Sequence, residues 1–406
     1  MDVVVEYAGG DVGLEVDEDS VLDVLEVPRV EVSDEGVLFE KALKPLPAFL
    51  SRCRGRVVVI VNDHTRPTPN DRVLEGFLPL LEGLDVVFLV ASGTHPLPGE
   101  EGLKRIFGGV YGRVRDRIVL HDCRSNLVEL GTTSRGTVVK VNRLVVEADR
   151  VIAVNAVESH YFAGFSGGRK SIVPGVAGYE TVEMNHRWAL DEGSFDTALE
   201  GNPVHEDMVE AALFLKTPLY SIQLVFDGEQ RIIAVESGDI VGSFKRAVAH
   251  ARKLACVPVK GRADVVVAVA PFPKDVDLYQ AQQALEKGKL ALKEGGTIIL
   301  VAECRNGIGN DSFYRLLSGS GDPYEVLETI SGGYKLGYHK AARIAGLAKK
   351  ARIFLVSRLE PEVAGNCFMV PYSDPQKALD DALDGKPDAR VTFLLNGFLT
   401  VPVPPA

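Results

Sequence analysis

Cysteine is scarce in this chain. Its five cysteines, Cys53, Cys123, Cys256, Cys304 and Cys367, are scattered, odd in number and nowhere spaced as Cys-x-x-Cys. Neither a disulfide framework nor a cysteine zinc site is expected, and a reducing compartment is. An excess of basic charge is also missing: 45 Lys and Arg stand against 56 Asp and Glu, a net charge of −11. General affinity for nucleic acid is therefore not expected, because such proteins carry a basic face. The short basic runs at 52–56 and 113–117 read as solvated charge near strand starts. No apolar run approaches the ~20 residues of a membrane span. The start, Met1-Asp2-Val3-Val4-Val5-Glu6, lacks the basic region and apolar core of a signal peptide. A cytoplasmic location, away from any membrane, is the expectation. The eight histidines match no zinc signature, and there is no short-period repeat or low-complexity tract.

What is present is a long, ordinary globular composition. The 406 residues, 46% hydrophobic and 25% charged, suffice for two or three cores. Short β-branched runs at 56–63, 85–93, 117–122 and 150–158 read as buried strands, with helices at 70–84 and 100–114 between them. This alternation predicts a parallel sheet with helices on both faces. The segments 127–146 and 221–238 read as hairpin insertions. The pattern restarts near residue 255, with strands at 263–271, 296–304, 351–358 and 389–397 and a helix over 279–295. The stretch 256–264 reads as a linker. The expected fold is thus α/β: two α/β domains with mostly parallel sheets and a cofactor and substrate cleft between them. The expected boundaries are 1–255 and 258–372, with about 373–406 packing back on the first domain.

In open parallel sheets, ligands sit beyond the carboxyl ends of the strands. Polar or glycine-rich segments fall at such ends at 62–70, 92–99 and 158–171, and again at 271–283 and 303–311. One of them, AGFSGGRKSIVPG (163–175), looks at first like a phosphate-binding loop. Counting from Gly164, however, Arg169 stands where the second glycine must be, and Pro174-Gly175 stops any long helix after Lys170. Lys170 has another use. Like charge from Arg169 and desolvation both lower a lysine pKa, which is the usual route to a nucleophilic amine. Lys170 is therefore a candidate for covalent attachment as well as anion contact. Asp63 and Arg66 bracket a turn ending in Pro67. The arginine fork suits a carboxylate or phosphate, and a plain Asp–Arg pair that fixes the turn is the simpler alternative. His95, His160 and His186 lie on or just after these loops as candidate proton carriers or ligands, and His64 is a further candidate ligand.

Five segments taken together carry more than any one alone. DHTRP (63–67), SGTHP (92–96), ESHYFAGFSGGRKSIVPG (158–175), MNH (184–186) and YQAQ (279–282) resemble, in order, the motifs of the nickel-dependent lactate racemase family. The resemblance implies a nickel-pincer nucleotide, Ni(II)-pyridinium-3,5-bisthiocarboxylate mononucleotide, joined through a thioamide to Lys170. It makes His186 the one protein ligand of nickel, with the cofactor supplying the other three donors. The turn Asp63, His64, Thr65 and Arg66 matches a cofactor-contacting segment, with Arg66 also near the substrate. His95 and His160 match the acid/base pair. The glycines around Lys170 are then expected to leave room for a planar cofactor. Cofactor-biosynthesis proteins are implied as partners in maturation.

The implied reaction racemises or epimerises a 2-hydroxy acid. One histidine takes the hydroxyl proton while the Cα hydride moves to the pyridinium carbon. A planar 2-keto acid forms and takes the hydride back on its other face. A histidine pKa near neutrality suits both directions. Tyr279 and Gln280 match a substrate-binding pair, but the lysine that follows them in the lactate enzymes is Gln283 here. A neutral amide lacks the charge-assisted bond that lysine gives a carboxylate, so a longer or polyhydroxy acid is expected rather than lactate. Two other classes remain: a non-catalytic protein that binds or carries the nucleotide, and a phosphotransferase using the glycine loop. A carrier needs neither His95 nor His160, and no Mg²⁺-binding carboxylate pattern accompanies the loop.

Overall fold

The run Val57-Val58-Val59-Ile60-Val61 has no polar alternation, and every one of its side chains is buried. That is the signature of a parallel strand covered on both faces. The computed structural model describes residues 1–30, 32–64 and 68–405. In chain order its principal strands are β1 (Val21–Leu25), β2 (Val57–Asn62), β3 (Val86–Ala91), β4 (Ile118–Leu120), β5 (Arg150–Ala156), β6 (Leu219–Phe226), β7 (Ile232–Gly238), β8 (Ala263–Val269), β9 (Leu292–Val301), β10 (Arg352–Val356), β11 (Val370–Tyr372) and β12 (Val391–Leu394). Among the described residues they form two six-stranded sheets, ordered β7-β6-β5-β2-β3-β4 and β11-β10-β9-β8-β12-β1. All neighbouring strands run parallel except the β6–β7 pair. The protein is α/β with mostly parallel sheets, as its sequence predicts.

The chain divides into two compact units, Arg29–Lys253 and Met1–Pro28 with Leu254–Ala406. These are not the boundaries expected from the sequence. The N-terminal segment belongs with the second sheet: β1 pairs in parallel with β12, and Val3, Val5 and Leu14 of the leading hairpin share a core with Val265, Val267 and Phe354. Residues 373–406 do not return to the first domain. The helix Pro375–Leu383 buries Ala378, Leu379 and Ala382 in the same core, and β12 sits inside the sheet. The expected linker contains a strand, Cys256–Pro258, paired in parallel with Val401–Val403.

Two further elements differ. The hairpin at 221–238 is not an insertion, because β6 pairs with β5 and extends the main sheet. The helix expected over 279–295 is two short ones, Leu278–Ala281 and Gln283–Gly288, followed by strand from Leu292. At Gly288 a Cβ would lie 2.7 Å from Ile298 Cδ1 and 3.1 Å from Ala268 Cβ, so the helix packs closely onto the sheet there.

Within Arg29–Lys253 the chain runs from β2 outward through β3 and β4, then crosses back to lay β5 on the other side of β2. The carboxyl ends of β2 and β5 thus flank a topological switch point, where ligands of open α/β sheets bind. The helices that matter to the site are α1 (Asn70–Phe77), α2 (Glu100–Phe107), α3 (Tyr179–His186) and α4 (Pro203–Leu213). Among the described residues, no helix is long and apolar enough to cross a membrane.

Candidate functional site

The loop after β5 is built from side chains that replace missing ladder bonds. Ser166 Oγ accepts from Glu158 N at 2.8 Å and donates to Ala156 O at 3.0 Å. Gln223 Oε1 on β6 accepts from Gly168 N at 3.0 Å, and Ser171 Oγ donates to Asn155 Oδ1 at 2.5 Å. A two-residue ladder, Ser159–His160 against Gly164–Phe165, leads into one turn of 3₁₀ helix at Gly168–Ser171. That single turn is not the long helix a phosphate-binding loop opens. The glycines are not there to leave open space, contrary to the expectation above. Gly164 has φ +73°, and its Cβ would lie 1.9 Å from Ala198 O. At Gly168, φ +53°, a Cβ would lie 2.7 Å from Phe244 Cβ. They let the loop pack against the protein itself.

Arg169 and Lys170 diverge. Arg169 is fully buried, donates from Nη1 to Gly167 O at 3.1 Å and from Nη2 to Ala163 O at 2.7 Å, and lies 4.4 Å from the Phe244 ring centre. Burial pulls its guanidinium down to about 9. Lys170 is half-buried, and its Nζ lies 5.8 Å from the Phe162 ring centre. Phe162 gathers the other candidates: the His160 ring is 4.6 Å away, edge-on at 88°, and the His186 ring is 5.2 Å away at 70°. His160, Lys170 and His186 are thus brought round one aromatic ring.

His95 is held separately. It follows β3, and its Nδ1 lies 2.7 Å from Oδ2 of Asp63, which is 3% exposed at the end of β2. Its turn is tied to the Lys170 loop by Gly93 N donating to Gly175 O at 3.0 Å. The tautomers of the two expected acid/base residues differ. A carboxylate at Nδ1 puts the His95 proton there and the lone pair at Nε2. For His160 the Ala163 N–H points at Nδ1 at 3.3 Å, so the neutral ring carries its proton at Nε2. His64 Nδ1 is buried with no hydrogen-bond partner among the described residues. Thr65 and Arg66 lie outside the described residues. His186 ends α3 with Nδ1 3.1 Å from Asn185 Oδ1.

Two histidines that sequence reasoning passes over brace this loop. His121, fully buried after β4, bonds Ala177 O at 2.9 Å through Nε2 and Asn142 Nδ2 at 3.0 Å through Nδ1. His205 on α4 stacks on Phe244, the ring that Arg169 also packs against. Burial lowers both pKa values, that of His205 to about 3 with help from Arg169 and Lys245. The unfolded chain binds these protons from about pH 6.5 downward while the folded protein does not. Stability is therefore whole above that pH and is lost as pH falls toward the folded values, by at most about 1.4 kcal/mol per pH unit for each group. The variant His205→Leu is expected to show a shallower fall of Tm between about pH 6.5 and 4.5 than the wild type. An unchanged slope would mean that His205 is not held neutral.

In the second unit, Gln283 Nε2 donates to Gln280 Oε1 at 3.2 Å, and Asp277 caps Gln280 N at 2.8 Å. Lys274 and Lys287, near these residues in sequence, both turn to Phe398: the first lies 5.8 Å from its ring centre and the second donates to its carbonyl. The cation on Tyr279 is one the sequence does not nominate. Lys340 comes from the helix Tyr338–Ala348, donates to Tyr279 O and lies 3.7 Å from the ring centre. Only a contact across the fold, with no local sequence signal, reveals it. A cavity of about 390 Å³ in this unit is lined by Cys304, Arg305, Gly307, Tyr314 and Arg358 among others, and holds none of the expected site residues.

Comparison with known proteins gives the chain its relatives. The chain matches the lactate racemase N-terminal domain over residues 7–197 and the lactate racemase C-terminal domain over 259–401. It is 31% identical over 314 residues to a lactate racemase of Thermoanaerobacterium thermosaccharolyticum, covering 74% of this chain and 73% of that one. It is 31% identical over 353 residues to a lactate racemase of Lactiplantibacillus plantarum, covering 82% and 81%. The fold superposes on the lactate racemase apoprotein from T. thermosaccharolyticum with a TM-score of 0.91 at 26% identity, over 99% of this chain and 100% of the other. The chain belongs to the lactate racemase family.

Proposed function

We propose that the protein is an isomerase that racemises or epimerises a 2-hydroxy acid with a nickel-pincer nucleotide tethered to Lys170. The observation that carries this reading is the gathering of His160, Lys170 and His186 about Phe162. The donor set fits the cofactor: one amine for the tether and one imidazole for the metal. Among the described residues, no three His, Cys, Asp or Glu side chains are grouped to hold a metal ion, so nickel here needs donors from outside the protein. His64 Nδ1, without a partner among the described residues, is a further polar atom for a bound group to satisfy. When bound, the nucleotide contributes reversible hydride acceptance at carbon, which no side chain can supply.

The protein's own part is proton movement and orientation. Asp63 fixes the His95 tautomer and stabilises the imidazolium that forms when Nε2 accepts a hydroxyl proton. His160 presents an N–H from Nε2. For it to act as a base there, it must give up the Ala163 N–H contact, so the two histidines are inequivalent. The aromatic wall of Tyr161 and Phe162, each 3% exposed, keeps water from His160. A cofactor carrier would gain nothing from a buried aspartate behind His95. We assign Arg66, Tyr279, Gln280 and Gln283 to substrate binding, and assembly of the cofactor to separate biosynthesis proteins.

The amide pair Gln280–Gln283 is neutral, which supports a hydroxy acid richer in hydroxyls than lactate. Assays of single enantiomers, from lactate through malate to sugar acids, are expected to show racemisation or epimerisation with lactate a poor substrate. Gln283→Lys is expected to raise lactate turnover by about tenfold, the effect of a ~1.4 kcal/mol charge-assisted bond. Lactate as the best substrate by a wide margin would refute this account of Gln283, and no isomerisation of any hydroxy acid would refute the function.

A further inference from the structure

His186 closes α3 beside a residue that looks like helix filler, Asn185, yet Asn185 is fully buried and all its polar side-chain atoms are engaged. Its Nδ2 donates to Asp207 Oδ2 at 2.7 Å and to Val204 O at 3.3 Å. Asp207, on α4 and 1% exposed, also accepts from Thr133 Oγ1 at 2.5 Å and Thr137 Oγ1 at 2.8 Å. These contacts decide which end of the Asn185 carboxamide is which. A carboxylate and a carbonyl face one end, so that end is the NH₂ group. The oxygen is therefore the end 3.1 Å from His186 Nδ1. Only an N–H can answer an amide oxygen, which puts the His186 proton on Nδ1 and the lone pair on Nε2.

We propose that Asn185, oriented by Asp207, is a positioning residue that fixes His186 in the Nδ1–H tautomer so that Nε2 is its metal-binding nitrogen. The proposal rests on the reading of His186 as a nickel ligand. Metal-bound histidines are commonly held this way, by an acceptor on the nitrogen that does not bind metal. The relay Asp207–Asn185–His186 adds polarisation: a buried carboxylate pulls on the amide N–H and makes the amide oxygen a stronger acceptor. Thr133 and Thr137 flank the turn of the hairpin Leu127–Thr132/Val138–Asn142, which anchors the far end of the relay. A packing role for Asn185 alone would place no demand on which imidazole nitrogen carries the proton.

The test uses the full chain without cofactor, labelled with ¹⁵N on histidine and held near pH 8.5, about two units above the ordinary imidazole pKa. Long-range ¹H–¹⁵N spectra, with His186 assigned from a His186→Gln variant, report the tautomer directly. The wild type is expected to be Nδ1–H. In Asn185→Ala the Nε2–H form is expected to rise to a major fraction. The exchanged pair Asn185→Asp/Asp207→Asn moves the carboxylate beside His186 and puts the amide donor behind it. An acceptor still faces Nδ1 there, so Nδ1–H is expected to return. Nickel affinity after cofactor loading is expected to fall 10–100-fold in Asn185→Ala and to recover in the exchanged pair. An Nε2–H wild type, or an Asn185→Ala protein that keeps the Nδ1–H form, overturns the proposal. Should Asn185→Ala fail to fold, the exchanged pair decides: Nε2–H there overturns the proposal and Nδ1–H supports it. The underlying reading fails separately. If the nickel absorption spectrum of the loaded protein is unchanged in His186→Gln, His186 is not the ligand, whatever its tautomer.

Discussion

Protein made in a host that synthesises the cofactor is expected to lose its entire covalent mass increment in Lys170→Ala. His186→Ala should keep the increment and hold less nickel. The two outcomes differ because the residues do different things. Lys170 offers the amine on the 3₁₀ turn, and nothing else in that turn can replace it. Its loss should leave the turn standing, since Lys170 N bonds to Gly167 O and Arg169 holds both Gly167 O and Ala163 O. Lys170→Arg is the more demanding variant: it keeps the positive charge near Phe162 but presents a guanidinium that stays protonated and does not acylate. It too should show no increment. His186 supplies a single donor, and no cluster of three or more metal-binding side chains among the described residues stands ready to take over. Intact mass and nickel analysis of the same preparations read the tether and the metal independently. A wild-type protein of unmodified mass and full activity would falsify the tether and leave the His186 reading standing.

What the sequence reveals about this protein follows from how local the determining physics is. The central strands of both sheets are legible because burial on both faces demands uninterrupted β-branched runs, as in Val57–Val61 and Val265–Val267, whereas the edge strands Val21–Leu25 and Val370–Tyr372 are not. The domain boundary is not legible. Nothing in Val21–Leu25 says that its partner is Val391–Leu394, because strand pairing at such a distance is decided by the whole sheet. The site divides in the same way. Lys170, His95, His160 and His186 stand in motifs and at strand ends, where residue type and position both speak. Their supporting residues do not. Asp207, His121, His205 and Lys340 come from elements far from the motifs, and each acts through a contact that only folding creates. The glycines show the opposite case. Their motif stands out in the sequence, but Gly164 and Gly168 serve close packing and positive φ rather than space for a ligand.

A substrate deuterated at the reacting carbon is expected to keep its deuterium through many turnovers in ordinary water. Racemisation more often proceeds by removing Cα–H as a proton, and His95 on Asp63 together with His160 could support that route on residue type alone. The fate of the label separates the two. A proton lodged on imidazole exchanges with solvent far faster than a turnover, whereas hydrogen that stays bonded to carbon does not. Trace 2-keto acid on quenching is the companion observation, since deprotonation at Cα yields none. In this account the histidines handle only the hydroxyl proton, and losing either should cost about 10²–10⁴-fold in rate, the range for general acid–base catalysis. The losses should also be lopsided in single half-reactions. His95 already presents its lone pair at Nε2, while His160 must exchange tautomers before it can accept a proton there, so the enantiomer served by His95 should react faster in the wild type. His95→Ala should reverse that preference and leave the deuterium in place. Rapid washout of the label in the wild type would exclude hydride transfer and return both histidines to Cα as its bases, even with racemisation intact.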